Sequence, residues 1–518
     1  MRALVPLLFA LLAGCASLPD RTPAPPTVAL ADVSGTRLAR VAAAATPAAS
    51  RDLSGFRLLP EGETAFNARI ALARRAERSL DVQYYLIRDD DIGLQFLREL
   101  RDAAARGVRV RLLVDDLYTA GEDDLFAGLA AHPNVEVRVF NPLPARAGSF
   151  GTRLLFSLHE FGRINHRMHN KLFVADNTFA VSGGRNIANE YFMRSAAANF
   201  IDLDVLSSGP VVRELSAVFD SYWNSEQVYP IGDLVPAVDG AAAARARLDE
   251  RLRQASPRVD ERPHDVLGNA PVAEQLDAGT VDQVFASARV FADTPRKVAG
   301  LDRPSSGHTV TEQTLGLFAA ARQEVSMASP YFIPGSRGLA IMRAVGATQE
   351  NGRITLVTNS LGSTDEPLAH AAYARWRLDM LKAGVRIYEL GPSLSHDPRK
   401  LGNFGSSISR LHAKASVIDR RIILVGSMNL DARSARLNTE AALAIESPAL
   451  AGTLIGLFRE GLTTGAYRLR LSADGEHVEW LETTADGQHV VHTHEPNDGW
   501  WGRFKRWVEA LFVGDELL

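Results

Sequence analysis

The 518-residue chain is 46% hydrophobic and 23% charged, an ordinary globular composition with room for two or more domains. A formal net charge of −4 argues against DNA or RNA as the main substrate, since nucleic-acid binders usually carry a basic surface. Cys15 is the only cysteine, which excludes a disulfide within the chain.

The opening, MRALVPLLFALLAGCASLPD, has a single Arg2, an apolar run from Ala3 to Leu12 too short to span a bilayer, and a Leu-Ala-Gly-Cys box ending at Cys15. It resembles a bacterial lipoprotein signal, which implies removal of residues 1–14 and lipidation of Cys15. Ala16 stands where an Asp would resemble inner-membrane retention, so the expected address in the cell envelope is the outer membrane, facing the periplasm. From Ala16 to about Arg51 the chain is rich in Pro, Ala, Thr and Ser, and residues 15–55 read as a disordered tether.

The pattern then predicts a helix from Ala65 to Glu77, a buried strand from Ser79 to Ile87 and a helix from about Ile92 to Arg106. Asp89, Asp90 and Asp91 precede that second helix, where carboxylates cap the chain and meet the helix dipole. Strands follow at Val108–Leu117 and Val135–Pro142, separated by helical sequence, giving an α/β unit with a mixed, largely parallel sheet. Arg163, His166 and Arg167 then form either a solvated basic turn or a recognition point for an anionic head group.

Residues 169–186 read HNKLFVADNTFAVSGGRN. Leu172 to Val174 predict a buried strand, Asp176-Asn177 a hairpin turn, and Thr178 to Ser182 the returning strand. Alternate strand residues share a face, so His169 and Lys171 point the same way. Gly183-Gly184 is small enough for a ligand to approach the backbone, and Asn186 offers an amide donor at the same mouth.

About Pro236 to Asp302 reads as a partly helical insertion, a candidate cover for the site. The α/β pattern recurs after it, with strands at Val325–Ile333, Arg353–Leu361 and Val385–Pro392; Asp115-Asp116 corresponds to Thr358-Asn359. Tyr373 and Arg377 form an i,i+4 helical pair. Residues 412–429 then read HAKASVIDRRIILVGSMN, with His412, Lys414, Asp419, Gly426-Ser427 and Asn429 each 243 positions after His169, Lys171, Asp176, Gly183-Gly184 and Asn186.

Two His, two Lys and two Asn converging on one spot suit an anionic phosphodiester. The lysines would neutralise non-bridging oxygens in the transition state. One neutral imidazole would attack phosphorus while the other, protonated, serves the leaving alcohol. This chemistry asks for no metal and no cofactor.

These residues resemble the phospholipase D superfamily, whose members carry the His-Lys-Asp motif twice. The resemblance implies His169 as nucleophile and His412 as acid, with Lys171 and Lys414 beside them. Asp176 and Asp419, each at a hairpin turn, look structural. In the family a carboxylate past the motif steadies one histidine, and Glu440 occupies that place; Asp202 and Asp204 follow the first copy without an assigned role. Gly184, Ser427, Asn186, Asn429, Arg167 and Tyr373 are the expected substrate contacts, Tyr373 because it recurs in the cardiolipin synthase branch. The implied fold is α/β: two phospholipase D-like repeats (56–234 and 306–450), mixed sheets flanked by helices, in a pseudo-twofold pair with the active site at the seam. Residues 235–305 connect them.

Residues 451–518 predict strands joined at Asp474-Gly475 and Asp486-Gly487, then an amphipathic helix with Trp500, Trp501, Phe504 and Trp507. His489, His492 and His494 read as a surface strand. The chain is similar to bacterial cardiolipin synthases of the C type, which implies transfer of a phosphatidyl group between phospholipids at a membrane surface through a phosphohistidine. Hydrolysis to phosphatidic acid is the alternative, with a nuclease or a non-catalytic lipid-binding lipoprotein behind it.

Overall fold

The computed structural model describes residues 17–236, 239–254, 264–300, 307–346, 354–392, 407–463, 465–484 and 487–497. The signal, Cys15 and the expected C-terminal amphipathic helix lie outside the described residues.

Each half builds the same mixed sheet. In the first, strands Ser79–Tyr84, Arg109–Asp115 and Val135–Phe140 are parallel. The motif strand Leu172–Ala175 runs antiparallel against Ser79–Tyr84, followed by Phe179–Gly183 and Asp204–Ser208. The second half repeats this order with Val325–Ala328, Ile354–Asn359, Arg386–Leu390, Ala415–Ile418, Ile422–Gly426 and Ala441–Glu446. Among the described residues only three strands of each half's main sheet are parallel to one another, so the sheet is less parallel than the sequence pattern predicts. The register also corrects one correspondence. Val110 pairs with Leu80 and Ile354 with Val325, so Asp115 matches Asn359 rather than Thr358.

The connection joins the two halves. Its strand Val284–Ala292 pairs with Ser54–Leu59 of the first half and with Ala441–Glu446 of the second, stitching the two sheets into one. Its helix Ala241–Gln254 packs Leu248 and Leu252 on the first half, where a side chain on Gly128 would meet Leu248 at 2.8 Å. That helix therefore braces the outside of the first half.

The expected tether is corrected for residues 17–51. Polar backbone in that stretch finds fixed partners: Ala29 N–H donates to Asp220, Arg111 donates to the Thr27 carbonyl, and Asn177 donates to the Leu30 carbonyl. Arg37–Ala45 forms a helix capped by Thr36, and its Leu38 is fully buried. Burial of Leu38 and Val41 in the first half's core supplies the apolar area that composition alone concealed.

Three apolar clusters result among the described residues. One fills the outside of each half, and the third lies between the halves, where Met168, Leu172 and Val174 meet Leu411, Ala413 and Ala415. This shared core brings the two motif strands together. Asp90 caps the helix Asp91–Ala105 through Gly93 N–H, as the sequence predicts.

Candidate active site

Both hairpin turns use left-handed residues, Asp176-Asn177 at φ 48° and 44° and Asp419-Arg420 at 53° and 53°, the pairing that matches strand twist. The Asp176 carboxylate accepts from the N–H groups of Glu77, Arg78 and Ser79, and Asp419 does the same for Arg322, Gln323 and Glu324. Each aspartate thus ties the hairpin tip to the start of the neighbouring strand. Six residues lie between each aspartate and its histidine, about 20 Å of extended chain. That length of chain holds both carboxylates away from the imidazoles.

At the other end of the strands the halves exchange support. Met168 bridges Thr439 in parallel, which sets His169 beside Glu440. Ile408–Leu411 pairs in parallel with Ala198–Ile201, which sets His412 beside Asp202. His169 Nδ1 lies 2.9 Å from Glu440 Oε2, and His412 Nδ1 lies 2.6 Å from Asp202 Oδ2. Each half therefore holds the other's histidine. With Nδ1–H given to a carboxylate, Nε2 of each ring keeps its lone pair, and at His412 the Lys414 ammonium lies 3.1 Å from that nitrogen.

The carboxylates are themselves fixed. Hydroxyls of Ser427 and Ser434 donate to Glu440, and Leu203 N–H donates to Asp202. Asp115 and Asn359 accept from the N–H of Met168 and of Leu411, the residues just before the two histidines. Aromatic walls complete the site: Tyr85 stands edge-on to His169 at 5.0 Å, and Tyr191 and Phe200 contact His412 at 5.0 and 4.9 Å.

Burial dominates the electrostatics. It pushes the His169 imidazole down to about 4, with Glu440 offsetting part of the fall and the two lysines deepening it. His412 is lowered by burial and by Lys414. Asp202 sits at about 2, because His412 and Lys414 outweigh the burial that would raise it. Glu440 is lowered too, since His169 and Lys171 overcome its desolvation. The site therefore holds neutral imidazoles against ionised carboxylates. Burial depresses both lysines, Lys414 to about 8 and Lys171 well below its usual range, and the Lys414 ammonium deepens the fall at Lys171. An anion would relieve that repulsion. The ammonium groups of Lys171 and Lys414 each lie 2.6 Å from the carbonyl of their own motif histidine.

Among the expected substrate contacts are Asn186, whose amide donates to the Tyr191 hydroxyl, and Asn429. Both are buried at the site with a carboxamide oxygen that has no hydrogen-bond partner. Gly184 and Ser427 are corrected: a Cβ on Gly184 would stand 2.1 Å from Asp202 Oδ1, so the glycine makes room for that carboxylate, while Ser427 holds Glu440. Arg167 is corrected as well. It is fully buried, pairs with Asp115 at 3.1 Å and donates to the Asn141 carbonyl, so it braces the strand end instead of meeting a head group. Tyr373 is corrected in the same sense, being enclosed with its hydroxyl on Glu389 at 2.9 Å and Arg377 over its ring. Among the described residues no cluster of His, Cys, Asp and Glu could hold a metal ion, and His492 of the C-terminal strand pairs with Glu482.

Sequence reasoning missed the role of Asp202. The repeat offset points from Glu440 to Ala197, because five more residues separate Asn186 from Asp202 than Asn429 from Glu440. Only the parallel pairing of Ile201 with Leu411 reveals it.

A family model described as "Cardiolipin synthase, PLD-like domain" matches residues 70–223 and 315–461. Cardiolipin synthase C of Escherichia coli is 36% identical over 491 residues, spanning 92% of this chain and 100% of that protein. Cardiolipin synthase A of Pseudomonas fluorescens is 26% identical over 390 residues, 75% of this chain and 64% of that one. The crystal structure of phosphatidylserine synthase from Haemophilus influenzae superposes with a TM-score of 0.52 at 15% identity, covering 90% of this chain and 93% of that one, a likeness of fold.

Proposed function

Because the chain belongs to the phospholipase D-like family of cardiolipin synthases, we propose that His169 and His412 divide nucleophilic and acid–base work in a phosphatidyl transfer. At the level of the family the chain is a phosphatidyltransferase of the cardiolipin synthase type, acting on phospholipids.

The observation that carries the residue roles is the reciprocal support of each imidazole by a carboxylate of the opposite half. His169 Nε2 attacks phosphorus of a phospholipid diester; the N–P bond forms as the bond to the leaving alcohol breaks. Protonated His412 gives its proton to that alcohol oxygen. An acceptor hydroxyl then enters, His412 takes its proton, the new O–P bond forms and the N–P bond breaks. Lys171 and Lys414 face the non-bridging oxygens, with Asn186 and Asn429 beside them. An anionic diester favours protonation of His412, against the burial and the Lys414 charge that lower it.

Burial of both imidazoles supports transfer to a lipid hydroxyl over loss to water. Incubation with phosphatidylglycerol vesicles tests it by product mass spectrometry. Cardiolipin plus glycerol supports transfer, whereas phosphatidic acid alone would make the enzyme a hydrolase. The lipobox supports an envelope location with Cys15 as a lipid anchor on the outer membrane, facing the periplasm. Since Leu18 already packs against the first half's core, such an anchor would hold the domain close to the bilayer. Among the described residues no helix is long and apolar enough to cross a membrane.

A further inference from the structure

Residues 150–161 run directly toward the first motif, and their amphipathicity is inverted. The helix Phe150–Ser157, the short turn Leu158–Glu160 and the helix Phe161–Ile164 form one segment. Its inward side carries Arg153, buried and paired with Asp123 at 2.6 Å, and Ser157, buried and accepting from Ala145 N–H. Its outward side carries Leu155, Leu158 and Phe161, which are 52%, 47% and 49% exposed, with Phe150 at 39%. The spacing of three keeps Leu155, Leu158 and Phe161 on nearly one line through the tighter turn. A helix folded for water alone places these groups the other way round. Among the described residues seven large apolar side chains are this exposed, and four of them fall here.

The patch is continuous with the site. The Phe150 ring stacks on Tyr118 at 5.7 Å and 19°, Tyr118 stands edge-on to Tyr85 at 5.5 Å, and Tyr85 stands edge-on to His169 at 5.0 Å. Arg88 lies over Tyr118 at 5.6 Å, adding a cation along this edge. An apolar face outside, aromatic rings behind it and a cation beside them match the gradient from acyl chains to phosphate at a bilayer interface.

We propose that the outward face of residues 150–161 docks the protein on a phospholipid bilayer and opens the Phe150–Tyr118–Tyr85 edge to an incoming lipid head group. This rests on the lipid reading of the site, and the test separates the two.

The full chain carrying Cys15→Ser, so that no covalent lipid contributes, is compared with the same chain bearing Leu155→Ser, Leu158→Ser and Phe161→Ser. On phosphatidylglycerol vesicles kcat/KM is expected to fall at least tenfold and co-sedimentation to drop with it. On dispersed short-chain phosphatidylglycerol, turnover is expected to stay within twofold. Val490→Ser with Val491→Ser, exposed on the C-terminal strand His489–His492, is expected to change neither. In a separate chain, Leu158→Trp should shift its emission to the blue only when vesicles are added. Unchanged vesicle binding by the triple variant would overturn the proposal. So would equal loss on dispersed lipid in a folded protein, a blue emission before vesicles are present, or a dimer that the triple variant converts to monomer. If the parent turns over no phospholipid, the function reading fails while vesicle binding still decides the docking surface.

Discussion

The Nδ1 of His412 stands 2.6 Å from Oδ2 of Asp202, a residue 210 positions earlier in the chain and from the opposite half. Removing the charge while keeping the shape, Asp202→Asn, releases the tautomer and orientation of the ring. The expected loss in kcat is about 10²- to 10⁴-fold with little change in stability. Glu440→Gln should act in the same range through His169. Single-turnover kinetics on each variant separates the two roles: the histidine that forms the phosphoenzyme governs its appearance, the other also its decay.

Gly184→Ala places a methyl 2.1 Å from Asp202 Oδ1, closer than real atoms approach. The carboxylate must move, so activity is expected to fall to the level of Asp202→Asn although the residue touches no substrate. Full activity in Gly184→Ala would remove Asp202 from the mechanism.

A phosphatidyl adduct on the peptide containing His169 should survive an alkaline denaturing quench during turnover and be absent from His169→Ala. Since Lys171 and Lys414 supply the charge for the transition state, the rate is expected to be the same with and without EDTA. An EDTA-sensitive rate restored by zinc would contradict that role for the lysines.

Stability should fall with acid. His169 is held at about 4 in the fold against an ordinary 6.5, so protons bind the unfolded chain more tightly. The stability is fully present above pH 6.5 and is lost as pH falls toward 4, with His412 adding in the same direction. Asp202, at about 2 against 3.8, adds a further loss below pH 3.8. For His169 alone the change amounts to about 3 kcal/mol. Thermal melts from pH 7 to 4 check this, and His169→Gln should flatten the slope.

The docked N-terminal strap predicts that Leu38→Ala costs about 2–5 kcal/mol, as for other buried leucines. Urea unfolding measures it. A change within 0.5 kcal/mol would mean the helix Arg37–Ala45 contributes nothing to the fold.

What the sequence by itself determined was local and periodic. The His-Lys-Asp spacing inside each motif copy, the period-two placement of His169 with Lys171 and His412 with Lys414, the turn residues Asp176-Asn177 and the alternating α/β pattern all depend on neighbours a few positions apart. Those spacings are fixed by strand and helix geometry, so they can be read from one chain. Tertiary structure alone decided which carboxylate serves which histidine, because that choice depends on how two sheets share a core and on pairings 210 and 271 residues apart. It also turned Arg167 and Tyr373 inward, drew the Pro- and Ala-rich stretch onto the first half, and set Leu155, Leu158 and Phe161 outward. A polar or apolar residue type states a preference for surroundings, whereas the surroundings exist only once distant segments have packed.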